Sequence, residues 1–228
     1  MREIILDTES TGLDPAQGHK VVEIGCIELW NQVPTGKVYQ QYINPKRDMP
    51  EAAFKVHGLS SEFLSPYPIF EEIAEDFLNF IQEDTLVIHN AEFDLKFLNA
   101  ELKNCGKPVL EKNIIIDTLF LARKKFPGAP ASLDALCRRF QIDNSHRDKH
   151  GALLDSEILA EVYLELLGGR QKALSFIKNA SDEAIVSDLF SLYEKKSPIE
   201  PREFKVSPEE KEAHDEFIKT LKEPLWLR

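Results

Sequence analysis

The period of the apolar positions changes along this chain, and each change predicts a different element. Glu3-Ile4-Ile5-Leu6 is a short β-branched run that predicts a strand delivering Asp7 at its end. Val21, Val22, Ile24, Ile27, Leu29 and Trp30 predict a second strand over 21–30, and the turn formers Gly12, Asp14-Pro15 and Gly18 lie between the two. Residues 37–43 predict a third strand, ended by Asn44-Pro45. These three read as an antiparallel meander. From Phe70 the spacing becomes helical, with Phe70, Ile73, Ala74, Phe77, Leu78 and Ile81 on one face. Leu86-Val87-Ile88 predicts a short buried strand, Asn90 an N-cap, and Phe93, Phe97, Leu98 and Leu102 a helical face. Ile114-Ile115-Ile116 predicts another strand, leading to Asp117 and a helix through Leu121, and Ser132 predicts the cap of a helix carrying Leu133, Leu136 and Phe140. Residues 151–167 hold the strongest stripe (Leu154, Ile158, Leu159, Val162, Tyr163, Leu166), stopped by Gly168-Gly169. A meander followed by β–α alternation predicts an α/β fold, a mixed sheet of antiparallel and parallel strands flanked by helices.

Past about residue 178 the composition shifts. Residues 181–194 read as a helix, and Pro198, Pro201 and Pro208 mark a linker. Ser207-Pro208-Glu209-Glu210 reads as a capping box with proline at the first helical position, opening a charged helix near 208–222. The expected division is a domain over 1–178 and a linker with a helical tail over 179–228.

Asp and Glu number 39 against 28 Lys and Arg, giving a net charge of −11. Such a chain does not coat nucleic acid by bulk charge. An enzyme whose carboxylates hold cations that then meet phosphate stays open. Cys26, Cys105 and Cys137 are far apart and form no CxxC, which suits a reducing cytosol and gives neither a disulfide nor a zinc pattern. No apolar run nears the roughly 18 residues of a membrane helix. Asp7 interrupts the only apolar run at the N-terminus, so neither a signal peptide nor a membrane association is expected, and the cytoplasm is the expected location.

Three groups of residues carry candidate chemistry. Asp7 and Glu9 stand at i and i+2 of a strand, so both carboxylates point to one place. Two such charges repel unless a cation lies between them, and oxygen ligands favour Mg²⁺ or Mn²⁺ over zinc. Alone, they are equally well a solvated strand end. Asp94 follows His89-Asn90 at a strand-to-helix junction, where an acid in the first turn is ordinary helix-start chemistry. Asp155 borders the apolar stripe of the 151–167 helix, a costly place for a carboxylate without a partner. His150 precedes it, with Gly151 giving freedom to turn inward. A lone histidine is more often a surface or satisfied core residue.

Taken in order, Asp-x-Glu on a first strand, an Asp after His-Asn, and His-x4-Asp on a late helix resemble the DEDDh family of 3′→5′ exonucleases. The resemblance extends through Leu6–Gly12, Gly18–Gly25, Val56-His57-Gly58, Val87–Ala91, Ser132–Cys137 and Ile142–Ser145 running into the His150–Asp155 block. It covers roughly residues 3–170, and within the family it is closest to proofreading members that work beside a replicative polymerase. The resemblance implies a ribonuclease-H-like sheet and two divalent cations, Mg²⁺ or Mn²⁺. It implies that Asp7, Glu9 and Asp155 hold one cation, that Asp7 bridges to a second near Asp94, and that His150 is the general base on the attacking water. Asp7, Thr8, Glu9, Thr11, Gly12, Glu51, His57 and Asp155 are implied to cradle the 3′-terminal nucleotide. The 50–57 segment carries one residue more than the family spacing, which bears on Glu51.

The far half is expected to hold partner contacts. Gln171, Leu174 and Phe176 resemble a Gln-x-x-Leu-x-Phe peptide that docks on a sliding clamp. Leu225, Trp226 and Leu227 are a large apolar group on a charged tail, which marks a contact, and the resemblance implies that this contact is with the polymerase alpha subunit. A small third core subunit is a further implied partner. Basic residues at Arg123-Lys124-Lys125, Arg138-Arg139, Arg147 and Lys149 either steer a DNA strand or are ordinary solvated charge. Two other functions compete with DNA proofreading: RNA trimming by the same chemistry, and a non-catalytic scaffold between clamp and polymerase.

Overall fold

Strand β1, Arg2–Ser10, lies in the middle of a five-stranded sheet and is buried on both faces. The computed structural model describes residues 1–111, 113–145, 147, 149–169 and 206–220. The other strands are β2 (Val21–Trp30), β3 (Val33–Tyr42), β4 (Thr85–Ile88) and β5 (Ile115–Asp117), in the order β3-β2-β1-β4-β5. β1, β2 and β3 pair antiparallel, and β4 and β5 run parallel to β1, which is the mixed sheet the apolar pattern predicts.

Helices α1 (Glu51–His57), α2 (Ser61–Leu64), α3 (Phe70–Ile81), α4 (Ala91–Asn104), α5 (Thr118–Lys125), α6 (Leu133–Phe140) and α7 (Ala152–Leu166) accompany the sheet. On one face Ile4 and Leu6 join Phe77 of α3 and Phe97 of α4. On the other, Ile5 joins Leu29, Val87 and the α7 residues Leu159 and Tyr163. Burying each such side chain contributes roughly 1.5–3 kcal/mol. Strand alternation then puts Asp7 and Glu9 on the Ile5 face, toward α7, and Thr8 on the face of α4.

Several elements differ from the expectation. β1 does not end at Leu6 but continues beside β2 through Asp7↔Gly25, Thr8↔Ile24 and Glu9↔Glu23. β3 starts at Val33 and includes Pro34, which an edge strand tolerates because its missing N–H faces outward. α1 and α2 had no apolar period to announce them, and α1 leaves Phe54 and Val56 exposed in part. Asn90 is at the α4 N-cap position, but in a left-handed conformation and without a side-chain cap. The Asp117 carboxylate takes its place, accepting from Asn90 and Ala91 N–H at 3.2 Å. The same carboxylate accepts from Leu119 and Phe120 N–H at 2.8 and 3.3 Å, so one side chain caps α4 and α5.

Contacts divide the chain into two units, Met1–Ala173 and Leu174–Arg228. In the second, helix α8 is Pro208–Thr220, opened by the expected capping box: Glu210 N–H donates to Ser207 Oγ at 3.2 Å and Ser207 N–H to the Glu210 carboxylate at 3.0 Å. The readings over 181–194, Pro198 and Pro201, the 171–176 peptide and the 225–227 tail lie outside the described residues. Among the described residues no helix is long and apolar enough to cross a membrane, and Cys26, Cys105 and Cys137 are free thiols.

Candidate active site

Asp7 and Glu9 are fixed by strand pairing. The β1–β2 register slips between Glu9 and Ser10, a bulge that bends the strand beside its acids. Asp155 reaches them because α7 starts directly over β2. The Ala152 N–H donates to the buried Glu23 carboxylate at 3.1 Å, and Ser156 Oγ donates to the Gly25 carbonyl at 3.0 Å. Gly25 has no side chain where α7 crosses. A Cβ there would lie 2.3 Å from the Ala152 carbonyl carbon and the Leu153 nitrogen, far inside contact distance. This backbone-on-backbone approach places the first turn of α7, and Asp155 within it, against the strand that pairs with Asp7.

Asp94 enters from the opposite layer. It lies in the first turn of α4, where the helix dipole favours an anion, and it is buried. Thr8 holds it from the even face of β1. His150 is tied to α1 instead: its N–H donates to the Val56 carbonyl at 3.2 Å. Gly151 has φ −153°, an extended backbone open to any residue, so the tie to α1 rather than glycine freedom turns His150 inward.

These side chains meet in a cleft of about 470 Å³ lined by Asp7, Glu9, Asp94, His150 and Asp155. Among the described residues, Glu9, His150 and Asp155 offer ligand atoms all within 4.8 Å of one another. His150 Nδ1 is 3.3 Å from Asp155 Oδ2. Asp7 lines the same cleft without joining that close group.

The electrostatics are those of crowded, buried acids. Burial, then the charges of Asp94, Glu9 and Asp155, pushes Asp7 well above the carboxylate range. Burial, with Asp155 and the facing Glu23, pushes Glu9 up to about 8. Burial also raises Asp94, against the opposing hydrogen bonds from Thr8. Asp155 goes the other way: burial acts to raise it, but hydrogen bonds from His150 and Arg147 together bring it below the usual value. A set of hard oxygen donors that repel one another suits a divalent cation of the Mg²⁺ or Mn²⁺ type, and one imidazole beside them does not disturb that fit.

The remaining sequence-predicted residues are not all brought to the cleft. Thr8 lines it. Thr11 is buried beside it and accepts from the Lys20 N–H at 3.0 Å, while the Gly12 carbonyl accepts from Ser10 Oγ at 2.7 Å. His57 is buried, with Nδ1 accepting from Leu59 N–H at 3.0 Å. Glu51 opens α1, exposed and paired with Lys55 at 2.6 Å, and it is not among the lining residues. Lys125 and Arg139 have structural work: the Lys125 ammonium donates to the Glu165 and Leu166 carbonyls at the end of α7, and Arg139 stacks over Phe126.

Sequence reasoning missed part of the lining. Leu13, 82 % exposed, projects an apolar side chain at the cleft, and His89, Phe93 and Asp134 line it too. Arg147 is among the basic residues expected either to steer a strand or to be ordinary solvated charge. It is clamped instead between Asp155 and Asp134, at 2.7 Å from Asp155 Oδ2 and 2.6 Å from Asp134 Oδ1. A cluster of acids needs a counter-charge, and that need was the available signal for an arginine nearby.

The family model described as exonuclease matches residues 4–163. The chain is 49% identical over 226 residues to the DNA polymerase III subunit epsilon of Rickettsia felis, covering 97% of each chain. It is 46% identical over 182 residues to the same-named subunit of Escherichia coli, covering 77% of this chain and 74% of that protein. Among solved structures, exonuclease X in complex with 5′ overhanging duplex DNA superposes with a TM-score of 0.58 at 23% identity, covering 72% of this chain and 90% of that one. The nuclease domain of 3′hExo, a DEDDh family member bound to rAMP, gives 0.62 at 18% identity over 73% and 91%. These two likenesses concern the fold, the ribonuclease-H-like mixed sheet.

Proposed function

Since the chain belongs to the exonuclease family, and within it to the epsilon subunits of DNA polymerase III, we propose that it hydrolyses mispaired 3′-terminal nucleotides of DNA in the 3′→5′ direction, as the proofreading subunit of that polymerase. The observation that carries the reading is the convergence of Asp7, Glu9, Asp94, His150 and Asp155 on one cleft from a strand, two helices and a loop.

Asp7, Glu9, Asp94 and Asp155 would hold two divalent cations, Mg²⁺ or Mn²⁺. When bound, such ions acidify a water and stabilise charge on the attacked phosphate and leaving oxygen. With its Nδ1–H turned to Asp155, 3.3 Å away, rather than Nδ1 accepting from Arg147, His150 would use Nε2 to take the proton of the attacking water. Asp155 thereby orients the base as well as holding a cation. The backbone of Thr8, Thr11 and Gly12 and the 51–57 segment, with the buried His57, border the terminal nucleotide. Products leave as nucleoside 5′-monophosphates.

The partners follow from the same reading. Residues 1–178 act as the nuclease domain, and 179–228 as the linker and helical tail that binds the polymerase. Gln171, Leu174 and Phe176 bind the sliding clamp, and Leu225, Trp226 and Leu227 bind the polymerase III alpha subunit. A small third core subunit is a further proposed partner, read by a binding assay. The working place is the cytoplasm. The test uses the purified chain with a 3′-mispaired DNA duplex and an RNA oligomer of equal length, with and without EDTA. Stepwise, EDTA-sensitive loss of 3′ nucleotides, faster from DNA, is expected. Equal or faster digestion of RNA would replace proofreading by RNA trimming, and no digestion with added Mn²⁺ would leave a scaffold.

A further inference from the structure

The Arg147 guanidinium is wedged against Asp155, one of the carboxylates assigned to the cations, and against His150, the assigned base. Its Nε and Nη2 donate to the two oxygens of Asp155, Nη2 at 2.7 Å from Oδ2. The same Nη2 is 2.8 Å from His150 Nδ1, and Nη1 donates to Asp134 at 2.6 Å. Its side chain is only 7 % exposed and that of Asp155 4 %, whereas Asp134 is 46 % exposed at the rim.

We propose that Arg147 is a built-in counter-cation of the acidic cleft, which holds Asp155 and His150 in place without metal and withdraws toward Asp134 when a divalent cation is taken up. The inference rests on the cation-site reading above. A cation held by Glu9 and Asp155, whose ligand atoms lie within 4.8 Å of one another, would stand directly against the guanidinium on Asp155. Like charges at such a distance repel strongly in a partly buried site. Arginine cannot escape by losing its proton, because it stays charged at any working pH. It must move, and its position permits this. Arg147 lies between α6 and α7, outside both helices, and one arm of its fork already rests on the half-exposed Asp134. The swap keeps the acids compensated at every stage: guanidinium first, divalent cation afterwards.

The experiment titrates the full chain and its Arg147→Gln variant with Mn²⁺ by calorimetry, and melts both with and without Mn²⁺. The variant should bind Mn²⁺ on the order of tenfold more tightly, because a competing charge is gone. Its metal-free melting temperature should fall by roughly 5 °C, and the deficit should close at saturating Mn²⁺. A merely structural arginine would lower both melting temperatures equally and leave Mn²⁺ affinity unchanged or weaker, which overturns the proposal. Arg147→Lys keeps the charge without the fork and should bind Mn²⁺ as the parent does; tightening equal to that of the glutamine variant overturns it too. Should the glutamine variant fail to fold, the Arg147 Nε–H signal of the parent in NMR still decides. It should move on saturation with Mg²⁺, and an unmoved signal is fatal to the swap. A parent chain that binds no Mn²⁺ would refute the cation site itself, a different failure from unequal or equal binding by the variants.

Discussion

Thr8 grips Asp94 twice across the sheet: its N–H and its Oγ–H both donate to the same carboxylate oxygen, at 3.0 and 2.7 Å. The two residues come from different layers, β1 and α4, and the hydroxyl decides where the acid points. Thr8→Val keeps the shape and the N–H but removes the second donor. Hydrogen bonds to charged groups contribute about 1.5–3 kcal/mol, so a loss of about 1–2 kcal/mol in stability is expected, with nuclease turnover reduced roughly tenfold. Denaturant melts and single-turnover kinetics measure both, and a variant equal to the parent in each would dissociate Thr8 from the placement of Asp94.

Substituting Asp7 and Glu9 together by alanine should separate chemistry from folding. Both acids are raised by burial and by neighbouring carboxylates, Asp7 by Asp94 and Glu9, and Glu9 by Asp155 and Glu23, so without metal they strain the folded state. Nuclease activity should vanish, while the metal-free melting temperature at pH above 8 holds or rises by a few degrees, on the order of 1 kcal/mol. Retained activity would move the site elsewhere.

Glu9 also sets a pH dependence. Its carboxyl is raised by burial, Asp155 and Glu23 from 4.5 to about 8. Over that window the folded chain keeps a proton that the unfolded chain has released, so this contribution to stability is complete at the low end and is lost as pH rises through about 8. Asp94, also raised by burial, acts in the same direction. Metal-free melting temperatures should therefore fall as pH rises across this window. Binding of Mn²⁺ should release protons in its lower part and almost none above it. Calorimetry in buffers of different ionisation enthalpy reads that release; pH-independent proton release would contradict it.

Asp117 gives a stability test away from the cleft wall. Its carboxylate caps α4 and α5 at once, and losing an N-cap costs about 0.5–2 kcal/mol. Asp117→Ala should cost about 1–4 kcal/mol if the two caps add. Because α4 carries Asp94, Mn²⁺ affinity should fall along with the melting temperature. A loss below about 1 kcal/mol would mean that water replaces the carboxylate at both helix ends.

The parts of this site that could be seen in the sequence are those whose setting is local. Asp7 and Glu9 share a face because a strand alternates, and Asp155 could be picked out because it borders an apolar helical stripe. What stayed hidden depends on distant partners. Asn90 looked like a cap, but a left-handed backbone points its side chain elsewhere and a carboxylate 27 residues later does the work. The extension of β1 past Leu6 is decided by β2, whose edge continues to hydrogen-bond it. Arg147 could not be told from its basic neighbours, since its role is set by Asp134 and Asp155 closing on it in space. The short helices α1 and α2 lack a complete apolar face, so no period betrays them.

Gly25 carries no charge and does not line the cleft, yet the crossing of α7 over β2 depends on what it lacks. A single nucleotide change turns a glycine codon into an alanine codon, and the added methyl would drive a backbone-to-backbone separation that no rotamer can absorb. Asp155 would be carried away from the partner strand of Asp7 without any alteration to an acid. Under the proposed role, such a lineage would still copy its genome but would inherit its errors uncorrected, and a catalogue of catalytic side chains would offer no explanation.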